Sequence, residues 1–249
     1  MSMHIDGKKI TAMYWGGRKI REAWYGGERV FSGKPVEVMP PTPGTYDARN
    51  WLRAKLTEYG EGYQTVEELP FGIDPRQVTN MYGMFDGCWS LTTVPDMDTS
   101  SVTDMGGMFD GCSSLIAVPD MDTSSVTDMG DMFDGCSSLI AVPDMDTSQV
   151  TNMYGMFSGC SSLTTVPPMD TSQVTDMAAM FSRCSSLTTV PDMDPSQVTD
   201  MYDMFRSCSA LTDGNVRLIG KHPGVNTARM IRNSGLTREP FYDSSGRPI

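Results

Sequence analysis

A valine followed by threonine returns at Val78, Val102, Val126, Val150, Val174 and Val198, each step being 24 residues with no insertion or deletion. A strict period of this length marks stacked supersecondary units, none of which can bury its apolar face alone. It constrains the fold more than any composition figure does. Each position of the unit becomes a column running the length of the block.

The unit from Val102 to Ser125 reads VTDMGGMFDGCSSLIAVPDMDTSS. In its first half Val102, Met105, Met108 and Phe109 fall at i, i+3, i+6 and i+7, on one helical face. Ser101 and Asp104 supply the S-x-x-D of a capping box, and Gly111 suits the left-handed residue just past a helix end. This half predicts a helix of about two turns, which only packing can hold at that length. The second half alternates from Leu115 and predicts a strand of roughly three to five residues. Pro95, Pro119, Pro143, Pro167 and Pro191 have no amide hydrogen and end that strand at one register. DTSS or DTSQ then turns the chain into the next unit. Stacked units of this kind predict one parallel sheet with strands about 4.8 Å apart.

The leucines at 91, 115, 139, 163, 187 and 211 mark the core face. All six cysteines (Cys88, Cys112, Cys136, Cys160, Cys184 and Cys208) share another column. No two lie close in sequence as C-x2-C metal ligands do, and a column points its side chains alike rather than at each other. They read as a buried spine of free thiols. Most of the 22 methionines recur at the positions of Met81, Met84 and Met97, and read as core filling rather than a binding groove.

The words VTNMYGMFDGC, SSLTTVP and MDTSQVTDM resemble the BspA-type leucine-rich repeats of bacterial and phage surface proteins, with helix, cysteine, strand and return loop in the same order. The resemblance covers residues 78–213 and departs in the strand, where Val-Pro-Asp-Met replaces a leucine-rich run. It implies a leucine-rich-repeat-like solenoid of short parallel strands and short helices, with a role in adhesion or protein–protein contact rather than a defined reaction.

The ends differ from the block. Residues 1–34 carry Tyr14-Trp15-Gly16-Gly17 and, ten residues on, Trp24-Tyr25-Gly26-Gly27, which predict hairpin turns in a small β-meander. Such a short piece needs something larger to dock on. It resembles the GK.I..AY.GG.KV openings of tail and virion proteins of phages of Gram-positive bacteria. The aromatics Tyr14, Trp15, Trp24, Tyr25 and Phe31 read equally as the small core of this piece or as candidate contacts to the other virion proteins that the resemblance implies. Residues 35–46 read as a Pro-rich linker. Within 47–77, Asp47 to Tyr59 predicts a helix, and GIDPRQ mimics the DTSQ loop, so this stretch reads as a cap and degenerate first repeat. Residues 214–249 predict a second cap and arm with a strand-like run and a basic helix from Asn226 to Arg232. Arg217, Arg229 and Arg232 there are positioned to balance acidic neighbours.

The net charge of −12 is unevenly spread: residues 78–213 carry 19 aspartates against Arg183 and Arg206, a balance of −17, and the rest carries +5. The acidic middle argues against nucleic-acid binding. No apolar run reaches the length of a membrane span, and the charged N-terminus predicts no secretory signal. The aspartates also repeat as D-M-D. The second member reads as an acceptor of backbone amides in the DTS turn, and the first members Asp96, Asp120, Asp144 and Asp192 stand as candidate surface contacts. Calcium is a weak candidate ligand of this ladder, since the D-x-D-x-D-G loop is missing. Tyr82, Tyr154 and Tyr202 share a column with glycines and an alanine and form a candidate contact stripe.

The two histidines lie in opposite flanks, and no nucleophile elbow, phosphate loop or HExxH occurs. These features predict a non-enzymatic chain without cofactor, and the two resemblances imply a homo-oligomer or multicopy component of a virion, as a minor tail or tail-fibre protein. It is expected to bind other virion proteins and a host-surface protein or glycan. A structural capsid or tail-tip component and a bacterial surface adhesin are the alternatives.

Overall fold

A computed structural model of the chain describes residues 36–39 and 47–249, apart from 69, 71, 76 and 77, and six short strands before them. Those strands are β1 (His4–Ile5), β2 (Lys8–Lys9), β3 (Tyr14–Trp15), β4 (Arg18–Lys19), β5 (Glu22–Tyr25) and β6 (Glu28–Ser32). They pair as three antiparallel hairpins, β1–β2, β3–β4 and β5–β6, the last with a bulge at Ala23/Trp24. The two hairpins around Gly-Gly fall where the sequence put them. Instead of one continuous meander, however, the described pairs form separate two-stranded sheets.

The stretch read as a linker contains β7 (Val36–Val38), followed by α1 (Asp47–Glu58) and β8 (Gly72–Asp74). β7 pairs in parallel with β8, and Met39 is buried in the core, so residues 36–39 belong to the packed body. Alternating Val-Glu-Val supplies a strand pattern that the neighbouring prolines obscured. The helix expected from Asp47 is present and buries Ala48, Leu52 and Leu56 against the first repeat. GIDPRQ does imitate a return loop. Val78 N–H donates to Pro75 O at 2.7 Å, as Val102 N–H donates to Thr99 O at 2.9 Å.

The block from 78 onward is a repeat architecture whose units are not built as the period suggested. Among the described residues α1 is the only helix. The segment expected to be helical is a run of tight turns. In the first unit Met84 N–H closes on Met81 O, Asp86 on Gly83 O, Cys88 on Phe85 O and Leu91 on Cys88 O, each three residues back. Gly83 and Gly87 hold φ of 59° and 76°, the left-handed third residue of a type II turn. Gly111, expected to terminate a helix, is left-handed at 69° but lies within such a turn. The error has a physical cause. Chained turns return the chain to the core every three residues, so Val102, Met105, Met108, Phe109, Cys112 and Leu115 are all fully buried in a spacing that also fits a helix.

The remaining backbone groups bond between units. Met81, Gly83, Phe85 and Gly87 donate to the carbonyls of Asp104, Gly106, Met108 and Asp110 in the next unit at 2.7–2.9 Å. The pattern continues unit by unit, so each behaves as a rung. Parallel bridges run from Asn80 through Asp104, Asp128, Asn152, Asp176 and Asp200 to Asn226. The parallel pairing was expected, but it sits at the aspartate column. The segment after Leu115, expected as a strand, makes only isolated bonds such as Ile140 N–H to Ile116 O at 3.2 Å.

Inside the stack, Phe85, Phe109, Phe133, Phe157, Phe181 and Phe205 form one column of rings, with centroids 5.3–5.7 Å apart and planes within 8°. Offset stacking of this kind is worth about 0.5–1.5 kcal/mol per pair beyond burial. The cysteines are free and buried. From the second rung on, each thiol donates to the phenylalanine carbonyl of the rung before, as Cys112 does to Phe85 O at 3.1 Å. Burial pushes the Cys88 and Cys208 thiols up to about 12, so the spine is chemically inert at neutral pH. Buried Thr99, Thr123, Thr147 and Thr171 each donate to an aspartate carbonyl of the next rung at 2.8–3.0 Å.

The helix expected from Asn226 to Arg232 is a seventh rung. Asp200 bridges Asn226, and Arg229 and Asn233 take the left-handed φ of the turn positions, at 59° and 58°. β9 (Leu218–Ile219), which precedes this rung, pairs in parallel with β10 (Phe241–Tyr242), which follows it. No helix among the described residues is long and apolar enough to cross a membrane.

Candidate functional site

The rung fixes where each polar column stands. At the head of the turn run, Asn80, Asp104, Asp128, Asn152, Asp176, Asp200 and Asn226 each turn a side-chain oxygen onto the amide two residues on, at 2.7–3.1 Å. Reading down the column gives Asn-Asp-Asp-Asn-Asp-Asp-Asn, so every aspartate has one neutral amide neighbour. Asn80, Asn152 and Asn226 donate to Asp104, Asp128 and Asp200 at 2.8–3.2 Å. Burial still raises Asp104 and Asp176, and the adjoining Asp128 and Asp200 add to it. A column of uniform aspartates would set like charges one strand spacing apart along its whole length.

This bond orients the residue it reaches, which is the tyrosine column. Tyr82 N–H donates to Asn80 Oδ1 and Tyr154 N–H to Asn152 Oδ1, both at 2.9 Å. Tyr82 is 47% exposed and Tyr154 46% exposed. The Tyr82 ring leans over Gly106 of the next rung, where a Cβ would meet its Cδ2 at 3.0 Å. Tyr202 differs. The Arg229 guanidinium lies 5.0 Å from its ring centre and donates to its hydroxyl, leaving it half-buried.

Beside the tyrosines lies an acidic group that the sequence reading did not single out. Asp86, Asp110 and Asp134 share a column, and Asp131 occupies a left-handed position at φ 54°. Partial burial pushes Asp110 up to about 6, with Asp134 and Asp86 adding to it. Asp131 is likewise pushed up to about 6 by burial, then by Asp134, Asp110 and Asp128. Burial, Asp131 and Asp134 also raise Tyr154, which places it against this group. Arg49 of α1 neutralises the top member, its Nη1 lying 2.6 Å from the Asp86 carboxylate. The signal was available: a column-by-column tally of acids isolates Asp86, Asp110 and Asp134.

Asp96, Asp120, Asp144 and Asp192 are exposed, fourteen positions along the unit from the tyrosine register, where their own units carry Tyr82, Gly106, Gly130 and Ala178. Asp192 pairs with Arg217 at 3.4 Å, and Arg229 pairs with Asp203 at 3.0 Å, two of the balancing contacts expected of the C-terminal arginines. The second members of the D-M-D pairs do accept in the DTS turn. Asp122 takes Ser124 N–H at 3.1 Å and its hydroxyl at 2.6 Å, and these bonds hold its pKa below the usual range. Tyr14, Trp15, Trp24, Tyr25 and Phe31 have strand backbone, and their side chains lie outside the described residues. Among the described residues no group of three or more His, Cys, Asp or Glu is placed to hold a metal ion.

No curated protein matches the chain in sequence. A family model described as "Mycoplasma protein of unknown function, DUF285" matches it over residues 71–140 and again over 139–233, a span that begins in the degenerate first repeat and ends in the seventh rung. With nearly two thirds of its length covered by that match, the chain belongs to the DUF285 family.

Proposed function

We propose that the chain is a non-catalytic binding protein: a leucine-rich-repeat-like solenoid, carried on a virion by its N-terminal hairpins, that presents its tyrosine-and-aspartate face to a host-surface protein or glycan. The observation that carries this reading is the exposure of Tyr82 and Tyr154 on a backbone fixed by side-chain and inter-rung hydrogen bonds. Rigid aromatic rings beside desolvated carboxylates lose little entropy on contact, and tyrosine is enriched where interfaces concentrate their energy. The virion setting rests on the resemblance of residues 1–34 to phage tail openings.

A second reading, a structural component packed between neighbours, is favoured by a different face. Residues 89–95, 113–119, 137–143, 161–167 and 185–191 contain no charged side chain. Ile116 and Ile140 stand 47% and 55% exposed there. Binding of the purified chain to intact Gram-positive cells separates the two. Under the first reading, Tyr82→Ser with Tyr154→Ser lowers bound protein roughly tenfold, a loss of about 1.4 kcal/mol, without changing Tm. Particles that adsorb normally after loss of residues 78–213 would sink it. Under the second, Ile116→Lys with Ile140→Lys blocks incorporation into particles instead.

A further inference from the structure

Every rung offers four backbone amides to the rung after it, and the last rung offers four to nothing described. Met177, Ala179, Phe181 and Arg183 donate to Asp200, Tyr202, Met204 and Arg206 at 2.7–3.0 Å. Met201, Asp203, Phe205 and Ser207 donate to Asn226, Ala228, Met230 and Arg232 at 2.8–3.2 Å. The same four-bond interface occurs six times down the stack. In the seventh rung the corresponding amides belong to Thr227, Arg229, Ile231 and Asn233. None of them meets an acceptor among the described residues.

The edge is nonetheless fully formed. Its own turns close, with Met230 N–H on Thr227 O, Arg232 on Arg229 O and Ser234 on Ile231 O. Its left-handed residues match those of the rung below. The C-terminal arm runs elsewhere: Thr237 binds Asp213, and β10 lies on β9. Arg229 and Asn233 are exposed, and Thr227 and Ile231 partly so.

The opposite end is partly closed, which disfavours simple head-to-tail stacking of copies. The first-rung carbonyl of Met84 accepts Tyr63 OH at 2.8 Å, and that of Asp86 accepts Arg49 Nη2 at 3.3 Å, beneath α1. With two of its four first-rung carbonyls already taken, a second copy brings only half of the carbonyl edge that the last rung matches. Charge also selects the occupant. The column that begins Asp86, Asp110, Asp134 ends Arg206, Arg232. Arg229 is engaged with Asp203 and Tyr202, so Arg232 is the cation facing outward.

We infer that this C-terminal edge is a docking site for one further rung-like segment of a partner protein: an acidic, turn-forming peptide. It adds to the stack through four main-chain carbonyls and places a carboxylate beside Arg232. An exposed row of unpaired amides is a ready template for such addition. The site is independent of the tyrosine face, and its failure would leave the proposed function as it stands.

The test uses the full-length chain and a synthetic peptide with the sequence of residues 126–137, serine replacing the cysteine. Saturating peptide is expected to slow hydrogen exchange at the amides of Thr227, Arg229, Ile231 and Asn233 at least tenfold. Arg232→Glu, at an exposed position, is expected to weaken the peptide roughly tenfold while leaving the circular dichroism unchanged. Ile231→Pro removes an amide without a described acceptor together with a side chain packed on the core, so it is compared only where the circular dichroism is unchanged, and there it is expected to weaken the peptide as well. Unchanged exchange at those four amides would overturn the inference, as would equal protection by a peptide with every Asp replaced by Asn. Sedimentation showing self-association that Arg232→Glu abolishes would assign the edge to a second copy and overturn it too.

Discussion

Rungs one to four and rungs five to seven make the same pair of turns from different residues. In the first four, seven of the eight left-handed positions are glycine, Asp131 being the exception. In the last three, all six are side-chain-bearing: Ala179, Arg183, Asp203, Ser207, Arg229 and Asn233. A left-handed residue with a Cβ costs about 1–2 kcal/mol, less for Asn and Asp. The later rungs therefore carry strain that inter-rung bonding must hold, and they use the freed positions for charge. Asp203, nearly buried, is held by Arg206 at 3.2 Å and Arg229 at 3.0 Å. The early rungs are relaxed in backbone and crowded in carboxylates. The late rungs are strained in backbone and balanced in charge.

The core is the largest lever on this contrast. Phe133 has a ring stacked on each side, whereas Phe205 has Phe181 on one side and no ring in the seventh rung. Truncating a buried phenylalanine costs about 3–5 kcal/mol. Phe133→Ala is expected at the top of that range and Phe205→Ala below it, read from urea midpoints with the slope checked for lost cooperativity. Equal losses would mean that the column is not stabilised by stacking.

The turn column gives a smaller, two-signed effect. Gly111 and Arg183 hold one register at φ 69° and 64°. A Cβ on Gly111 would meet Gly87 Cα at an ordinary 3.6 Å, so the penalty of Gly111→Ala is conformational, about 1–2 kcal/mol. Arg183→Gly should raise stability by about 1 kcal/mol, because the relief of strain exceeds the added freedom of the unfolded chain. Thermal melts check both signs. Destabilisation by Arg183→Gly would show that its side chain, not its backbone, governs the site.

The period, the core columns, the Asx role of Asp122 and its equivalents, and the capping helix were legible because each follows from residue type at a fixed register. The local backbone was not. Val102, Met105, Met108 and Phe109 satisfy helix spacing and turn spacing alike, and only the adjacent glycines at 106 and 107 hint at the latter. The seventh rung was hidden because Ile231 and Ser234 stand where phenylalanine and cysteine recur, with two extra residues before them. Of the contact face, the tyrosine column was visible as a repeat position. The acidic group beside it was legible only as the column of Asp86, Asp110 and Asp134, because Asp131 lies in a glycine column and joins Asp110 and Asp134 only once the turns bring the two columns together.

That acidic group makes the smallest prediction and the one most specific to the early rungs. Asp110 and Asp131 are both pushed up to about 6 by burial and by their carboxylate neighbours, against 3.8 for the free side chain, with Arg49 only partly relieving Asp110. Between pH 4 and 6 the folded chain then binds more protons than the unfolded one. The stability these two groups contribute is present at the acid end of that window and is lost as pH rises through about 6. Asp122, Asp146 and Asp170 are held low by their serine turns and act the other way, but only as pH falls below 3.8. Tm is therefore expected to be about 2–4 °C higher at pH 5 than at pH 7. Asp131→Asn, which keeps a residue tolerant of the left-handed backbone, should raise Tm at pH 7 and shrink the difference. A wild-type Tm that falls from pH 7 to pH 5 would show that the early carboxylates are relieved by solvent rather than by protons, and the contrast between the two halves would reduce to backbone strain alone.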